Sequence, residues 1–118
     1  MVSEALRAAS RAAIGAGTLA GAGVCRGRAE HPVCGDELEL DVRVREGGVA
    51  ELAWRARGCP ATLAVAACLH DAWVGAALGD ARARLESQLG RLGGLAAHER
   101  HALELALRCL AQATAAAS

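Results

Sequence analysis

Two neighbouring segments that alternate apolar and polar residues constrain the fold of this chain more than any other feature. The first runs from Glu37 to Arg45 and the second from Val49 to Arg57. Alternation with a period of two is typical of a strand that buries one face and exposes the other. Because Glu46-Gly47-Gly48 between them is a turn sequence, they predict an antiparallel hairpin. On its solvent face, acidic and basic side chains should oppose each other.

Helical patterns flank this hairpin. An Ala-rich segment from Glu4 to Ile14 precedes it, and a Gly-punctuated stretch follows with a short edge strand around Val24. After the hairpin come an apolar helix from Pro60 to Leu78, a short helix with Leu85 and Leu89, and a last helix from about Ala97 to Ala115. This order predicts an α+β fold, in which a small antiparallel sheet of two to three strands carries helices on one face. Residues 1–118 should form a single domain.

Composition excludes several classes of function. Thirteen basic and thirteen acidic residues cancel, so neither nucleic acid nor an anionic membrane is expected as a partner. The longest apolar run, Ala61–Leu69, is too short to cross a bilayer, and the N-terminus lacks the pattern of a signal peptide. Five cysteines, an odd number at wide spacing, argue against a disulfide scaffold. A reducing cytoplasmic location is therefore predicted.

The hairpin should bring three chemically active residues together. Cys34 and Asp36 come just before its first strand, and Cys59 comes just after its second strand. Pro60 suits the first position of a helix, which places Cys59 at or beside the N-cap, where the helix dipole favours a thiolate. Thiolates with one carboxylate or imidazole suit Zn²⁺ or an iron–sulfur cluster. The alternatives are that Cys59 is a small buried apolar residue and that Asp36 serves only the turn.

The residues around this corner resemble a known family. The segment from His31 to Asp36 (His-Pro-Val-Cys-Gly-Asp) leads into a strand, and Gly58-Cys59 opens a helix that contains Asp71-Ala72-Trp73. These motifs are similar to those of the U-type iron–sulfur cluster assembly scaffolds, namely the NifU N-terminal domain, IscU and SufU. The resemblance extends over about residues 15–115. It implies a SufE/NifU-like fold and a site where three Cys and an Asp or His hold a [2Fe–2S] cluster, or Zn²⁺ in its place.

The third motif of the family differs in this chain. A His-Cys or Lys-Cys pair at the start of the last helix aligns here with His101-Ala102, so the third cysteine is absent. The resemblance implies Cys34, Asp36 and Cys59 as cluster-binding residues and His101 as the fourth ligand of a metal ion. Such a set of two sulfurs, one nitrogen and one oxygen suits tetrahedral Zn²⁺.

Other histidines and cysteines have alternative roles at this stage. His101 could equally be an exposed helix residue, and His98 is a weaker substitute ligand. Cys109 is predicted to be a core thiol, the alternative being a displaced third ligand. Cys68 is expected to pack in its helix, and His31 to serve the turn.

The predicted function is that of a scaffold-type protein of iron–sulfur cluster assembly, not an enzyme, which binds zinc, iron or a [2Fe–2S] cluster. The resemblance implies a cysteine desulfurase as the sulfur source and apo iron–sulfur proteins as recipients. Two alternatives stay open. One is a zinc-dependent sulfur acceptor that takes a persulfide at Cys59, and the other is a degenerate paralogue that keeps only the fold.

Overall fold

The structure, a computed structural model, describes residues 2–115. These residues form four α-helices and three β-strands. In chain order they are α1 (Glu4–Ala12), β1 (Val24–Glu30), β2 (Glu37–Arg45), β3 (Gly48–Arg57), α2 (Pro60–Trp73), α3 (Ala81–Arg91) and α4 (His101–Thr114). Short 3₁₀ turns at Leu78–Asp80 and Ala97–Glu99 precede α3 and α4. The predicted α+β class is confirmed.

The sheet has the order β1-β2-β3, and both strand pairs are antiparallel. The hairpin of β2 and β3 turns at Glu46 and Gly47, which both have positive φ (54° and 76°). Turns of this kind match the twist of paired strands. The register sets Leu40 opposite Trp54, and each of these two is buried. The hairpin and its inward-facing residues are therefore as the alternation predicts.

The helices cover the inner face of the sheet. The α2 helix packs on β3, and α4 packs on β1 and β2. Contact is closest at Gly27 of β1, where a Cβ would overlap the carbonyl oxygen of Cys109 and the backbone nitrogen of Ala113. Only a residue without a side chain allows α4 to approach the strand so closely. This approach determines where the first residue of α4, His101, lies.

The outer face is less exposed than the alternation predicts. Charge pairs do oppose each other across it: Arg57 lies 3.1 Å from Glu37, and Arg43 lies 2.7 Å from Glu51. Asp41, however, is fully buried, although its position in the alternation predicts a solvent-facing side chain. The prediction that the whole outer face of the hairpin is exposed to solvent is therefore wrong at Asp41.

The segment that buries Asp41 is residues 15–20, here called the strap. It pairs with the free edge of β3 through the backbone of Trp54 and then crosses the outer face. The amide of Leu19 donates to Asp41 at 3.0 Å, and Arg55 donates to the same carboxylate at 3.0 Å and to the carbonyl of Gly17 at 2.7 Å. The strap thus closes the edge of β3 and takes part of the outer face out of water.

Three helix boundaries differ from the predicted ones. The central helix ends at Trp73 instead of Leu78, because Val74 becomes extended and bridges to Val49 of β3. The first helix ends at Ala12, two residues before Ile14. The last helix begins at His101, after a 3₁₀ turn. No helix among residues 2–115 is long and apolar enough to cross a membrane.

Candidate metal centre

Asp36 lies at the centre of the candidate site, in the loop that leads into β2. The loop folds back on itself, since the amide of His31 donates to the carbonyl of Asp36 at 2.8 Å and the amide of Gly35 donates to the carbonyl of His31 at 2.9 Å. Gly35 has a φ of 73°, which permits the tight turn. As a result the Asp36 side chain, 2% exposed, points into the protein, although it follows a surface turn.

One oxygen of Asp36 caps the N-terminus of α2. Cys59 is the N-cap residue and Pro60 is the first helical residue, as the sequence predicts. The backbone N–H of Cys59 donates to Oδ1 of Asp36 at 2.9 Å. Gly58 makes this contact sterically feasible, because a Cβ there would overlap Oδ1. Since Asp36 supplies the capping oxygen from another part of the chain, the thiol of Cys59 is not needed as a cap.

The second oxygen of Asp36 is the point where the polar side chains converge. Oδ2 accepts a hydrogen bond from the Thr62 hydroxyl at 2.9 Å and one from the Cys59 thiol at 3.2 Å. The Nε2 atom of His101 lies 3.2 Å from the same oxygen. Three side chains from two helices are thereby aimed at one carboxylate oxygen.

These contacts determine the charge state of Asp36. Burial by itself would raise the pKa of this carboxyl. Hydrogen bonds from the Cys59 backbone and thiol, from the Thr62 hydroxyl and from His101 outweigh burial and lower the pKa below 3.8. Asp36 is therefore ionised at neutral pH, which is the form that binds a cation.

His101 is oriented by its other ring nitrogen. Nδ1 lies 3.1 Å from the carbonyl of His98, a contact that orients the imidazole ring. Nε2 then faces Oδ2 of Asp36 and, at 3.5 Å, the sulfur of Cys59. A backbone carbonyl behind the distal nitrogen is a common arrangement for a metal-binding histidine.

Cys34 approaches the same point from the loop. Its ligand atom, that of Asp36 and that of His101 all lie within 4.8 Å of one another. The Cys34 thiol is exposed, and its backbone N–H donates to Nδ1 of His31 at 3.1 Å. The structure therefore gives His31 the turn role that the sequence predicts. The structure thus brings Cys34, Asp36 and His101 into one group, and Cys59, which is not part of that group, contacts Asp36 and His101.

The arrangement fits a divalent cation. Two sulfurs, one carboxylate oxygen and one imidazole nitrogen are all ligand types that Zn²⁺ accepts. Cys59 is linked to Asp36 through its thiol proton, so the ligands are held near one another before any ion arrives. A cation bound here would take the place of the thiol proton that joins Cys59 to Asp36, because a metal binds the deprotonated forms of its ligands.

Other residues singled out in the sequence lie elsewhere. The thiol of Cys109 is buried and donates to the carbonyl of Leu38 at 3.3 Å, so the core role is the one the structure supports. Cys68 is also buried, and Cys25 on β1 is half-buried. Ala102, at the position of the third cysteine, is 1% exposed and packs in the core.

Thr62 is a residue of this site that the sequence pattern does not indicate. It is buried, and it donates to the same carboxylate oxygen as the cysteine at the N-cap. The available signal was a hydroxyl residue in the otherwise apolar first half of α2, three residues after Cys59. Because its partner, Asp36, is 26 residues away, the role of the hydroxyl becomes evident only in the folded structure.

A cavity of about 390 Å³ opens beside this centre. Cys34, Cys59 and His101 line one part of it, and Arg7 of α1 lines another. The remaining lining residues are Val2, Pro60, Ala61, His98 and Glu99. The candidate ligands are therefore accessible from a small, mostly apolar recess as well as from the exposed Cys34 loop.

Comparison with known proteins identifies the family and supports the fold. The family described as NifU-like N terminal domain matches residues 14–117. No curated protein matches the chain at a significant level. Among solved structures, the N-terminal part of a nitrogen-fixing NifU-like protein from Brucella abortus aligns with a TM-score of 0.70 and 16% identity, over 95% of this chain and 93% of that one.

A second solved structure has the same fold. It is a proposed iron–sulfur cluster assembly scaffold protein for the SUF system, from Fervidobacterium islandicum AW-1. It aligns with a TM-score of 0.63 and 15% identity, over 92% of this chain and 88% of that one. At such low sequence identities the two structures support the fold alone. The family match over residues 14–117 supports membership of the family. The chain belongs to the NifU-like N-terminal domain family.

Proposed function

We propose that this protein is a scaffold-type protein of iron–sulfur cluster assembly, which holds a metal ion or a nascent cluster and passes it on without catalysing a reaction of its own. The observation that carries the proposal is the convergence on Oδ2 of Asp36. The Cys59 sulfur and the His101 ring each lie 3.2 Å from that oxygen, and Asp36, His101 and Cys34 form a group whose ligand atoms lie within 4.8 Å of one another. Family membership supports the same class of function.

The ligand types favour zinc or iron as a single ion. Iron–sulfur clusters are usually held by four thiolates, and two thiols are present at this centre. A [2Fe–2S] cluster with mixed ligands is the alternative, for which histidine ligands have a precedent. An oxygen ligand binds soft metals less firmly than thiolate does, so Asp36 would favour release to a recipient.

The position of the site suits exchange with other proteins. Cys34 is exposed, and its neighbour Val33 is 86% exposed, which is unusual for an apolar side chain of this size. We propose that a cysteine desulfurase and apo iron–sulfur proteins approach this loop, in a reducing cytoplasm where all five cysteines remain free thiols.

Metal content tests the proposal. Protein purified without added metal, then loaded with Zn²⁺ or Fe²⁺ under nitrogen, should bind one equivalent. Substitution of Cys34 or Cys59 by Ser, or of His101 by Ala, should lower the content or the affinity by at least about tenfold, because each removes a ligand. Cys25→Ser and His70→Ala are matched controls outside the centre. Equal metal content in all variants, or no uptake by the wild type, would refute the proposal.

Sulfur acceptance is the second candidate function, and the exposure of Cys34 favours it. In this step a Cys34 thiolate attacks the terminal sulfur of a desulfurase persulfide. That sulfur bonds to Cys34, and the desulfurase thiolate leaves. The exposed thiol makes Cys34 a better acceptor than the half-buried Cys59 that the sequence suggested. Incubation with a desulfurase and cysteine should add one sulfur to the Cys34 peptide. Addition at Cys59 alone would contradict this assignment.

A further inference from the structure

The candidate centre offers fewer sulfurs than iron and zinc accept, and the rest of the chain does not supply more. Cys68 and Cys109 are buried, and Cys109 donates its proton to the carbonyl of Leu38. Burial raises the pKa of these two thiols to about 11 and about 12, so they stay protonated. Cys25 is held on β1, opposite Val42. Any third thiolate at the centre would therefore come from another molecule.

The space for such a molecule is the cavity beside the centre. Its volume of about 390 Å³ is in the range of small-molecule pockets. Cys34, Cys59 and His101 are among its lining residues, so an entering ligand reaches the site of the metal directly. The apolar walls formed by Val2 and Ala61 would exclude water around it.

Arg7 gives this cavity a preference for an anion. Arg7 is one of the residues that line the recess, and it has a weak ion pair with Glu4, in which Nε and Oε2 lie 3.5 Å apart and both side chains are well exposed. Within residues 2–115, the two terminal nitrogens of Arg7 have no hydrogen-bond partner. Guanidinium nitrogens in this state are suited to bind a carboxylate in a bidentate manner.

The cavity also contains one carboxylate, which is held by a backbone hydrogen bond. Glu99 also lines the recess, but its Oε1 accepts the backbone N–H of Ala96 at 2.9 Å. That hydrogen bond, acting against burial, lowers the pKa of Glu99. The carboxylate is thus ionised and held at its own turn by the backbone N–H of Ala96.

We propose that the cavity binds a small thiol that carries a carboxylate. Its thiolate would bind the metal as an additional sulfur ligand beside Cys34 and Cys59, and its carboxylate would pair with Arg7. The inference rests on the proposed function, because it requires a metal at the centre. It adds to that function a class of external ligand for the metal, a small thiol with a carboxylate. It also assigns recognition of that carboxylate to Arg7, which lies on α1, far in sequence from the metal-binding residues.

Cobalt(II) provides a direct test, since each thiolate bound to this ion strengthens a charge-transfer absorption in the near ultraviolet. The cobalt-loaded protein would be titrated with glutathione, which has both a thiol and carboxylates. Two matched ligands separate these groups, S-methylglutathione without a free thiol and cysteamine without a carboxylate. We expect the absorption to rise with glutathione and to stay unchanged with S-methylglutathione. Cysteamine should need roughly tenfold higher concentration, because the charged hydrogen bonds are lost.

Variants of α1 test the role of Arg7. Arg7→Gln should weaken glutathione binding roughly tenfold and leave cysteamine binding unchanged. Arg11→Gln is the matched control, because Arg11 lies on the same helix and pairs with Glu4 at 3.1 Å outside the cavity. Equal effects of the two substitutions would overturn the assignment of Arg7.

The outcomes separate this inference from the proposed function. If cobalt binds and glutathione leaves its spectrum unchanged, the second ligand is refuted while the metal centre stands. If S-methylglutathione acts as glutathione does, coordination by an external thiolate is refuted. If the protein takes up no cobalt at all, the proposed function fails and the inference fails with it.

Discussion

The carboxylate of Asp36 accepts the backbone N–H of Cys59 at 2.9 Å, which joins the loop before β2 to the start of a helix 23 residues away. The same side chain offers its other oxygen to the thiol of Cys59, to Thr62 and to His101. One residue therefore caps a helix and gathers the candidate ligands. Because both tasks use the same carboxylate, changes at the start of α2 should alter metal affinity and stability together.

Gly58→Ala should disturb both properties. Gly58 has a φ of 140°, which side-chain-bearing residues rarely adopt, and its new Cβ would overlap Oδ1 of Asp36. We expect the free energy of unfolding to fall by about 1–3 kcal/mol, as measured by urea denaturation. Zinc affinity, measured by calorimetry, should fall as well, because the carboxylate must move.

Gly90→Ala is the control for this substitution. Gly90 lies within α3 with open space around its Cα, so a methyl group there should raise stability by about 0.5–1 kcal/mol. Zinc affinity should be unchanged. If both alanine variants lowered stability equally, the close approach of Gly58 to Asp36 would not be the cause.

The five thiols should differ sharply in reactivity. The thiolate is the reactive form, and burial raises the pKa of Cys68 to about 11 and that of Cys109 to about 12. Iodoacetamide at neutral pH should therefore alkylate the exposed Cys34 first and reach Cys68 and Cys109 only after denaturation. Mass spectrometry of peptides measures the order, and labelling of Cys109 in the native protein would contradict it.

Zinc should protect two of these thiols. If Cys34 and Cys59 bind the ion, their alkylation should slow by at least about tenfold in its presence, because bound sulfur is a poor nucleophile toward the reagent. Cys25 on β1 is an internal control, and its rate should not change. Protection of Cys25 to the same degree would point to a general tightening of the fold.

Asp41 should make stability depend on pH in acid. Burial would raise the pKa of this carboxyl, but hydrogen bonds from Arg55 and Leu19 and the nearby charge of Arg26 lower the pKa below 3.8. A carboxyl whose folded pKa is depressed stabilises the fold above its unfolded pKa. That stabilisation is lost as pH falls from about 3.8 through the folded value.

Asp41→Asn tests this effect. The variant should be less stable at pH 7 by about 1–3 kcal/mol, because buried donors lose a charged acceptor. Its stability should also vary less between pH 4 and pH 2 than that of the wild type, as followed by urea denaturation at each pH. Asp71→Asn, at an exposed position on α2, should leave both quantities unchanged. Parallel pH profiles for wild type and Asp41→Asn would contradict the prediction.

Gly27→Ala should loosen α4 from the sheet. The added Cβ would overlap the Cys109 carbonyl and the Ala113 amide nitrogen, so the helix must move outward. We expect a loss of about 1–3 kcal/mol in stability. Metal affinity should fall by a smaller factor than in His101→Ala, because α4 carries His101. Gly79→Ala, where a Cβ meets open space, is the control.

The hairpin follows from the amino-acid pattern alone, and so does the end of the sheet at which Cys34, Asp36 and Cys59 lie. Period-two alternation and a Gly-containing turn act between neighbouring residues, so pairing and register follow from local pattern. The start of α2 at Pro60 could also be predicted from the sequence. Proline favours the first helical position because of its own chemistry, independently of distant residues.

The residues that surround this end of the sheet are brought there by packing between distant elements. His101 meets Asp36 across 65 residues because Gly27 lets α4 settle on β1, and that fit depends on packing between distant elements. Asp41 is buried because the strap crosses a face that its own strand leaves open. Both results come from long-range packing, in which many side chains act together, and no local period in the sequence records such contacts.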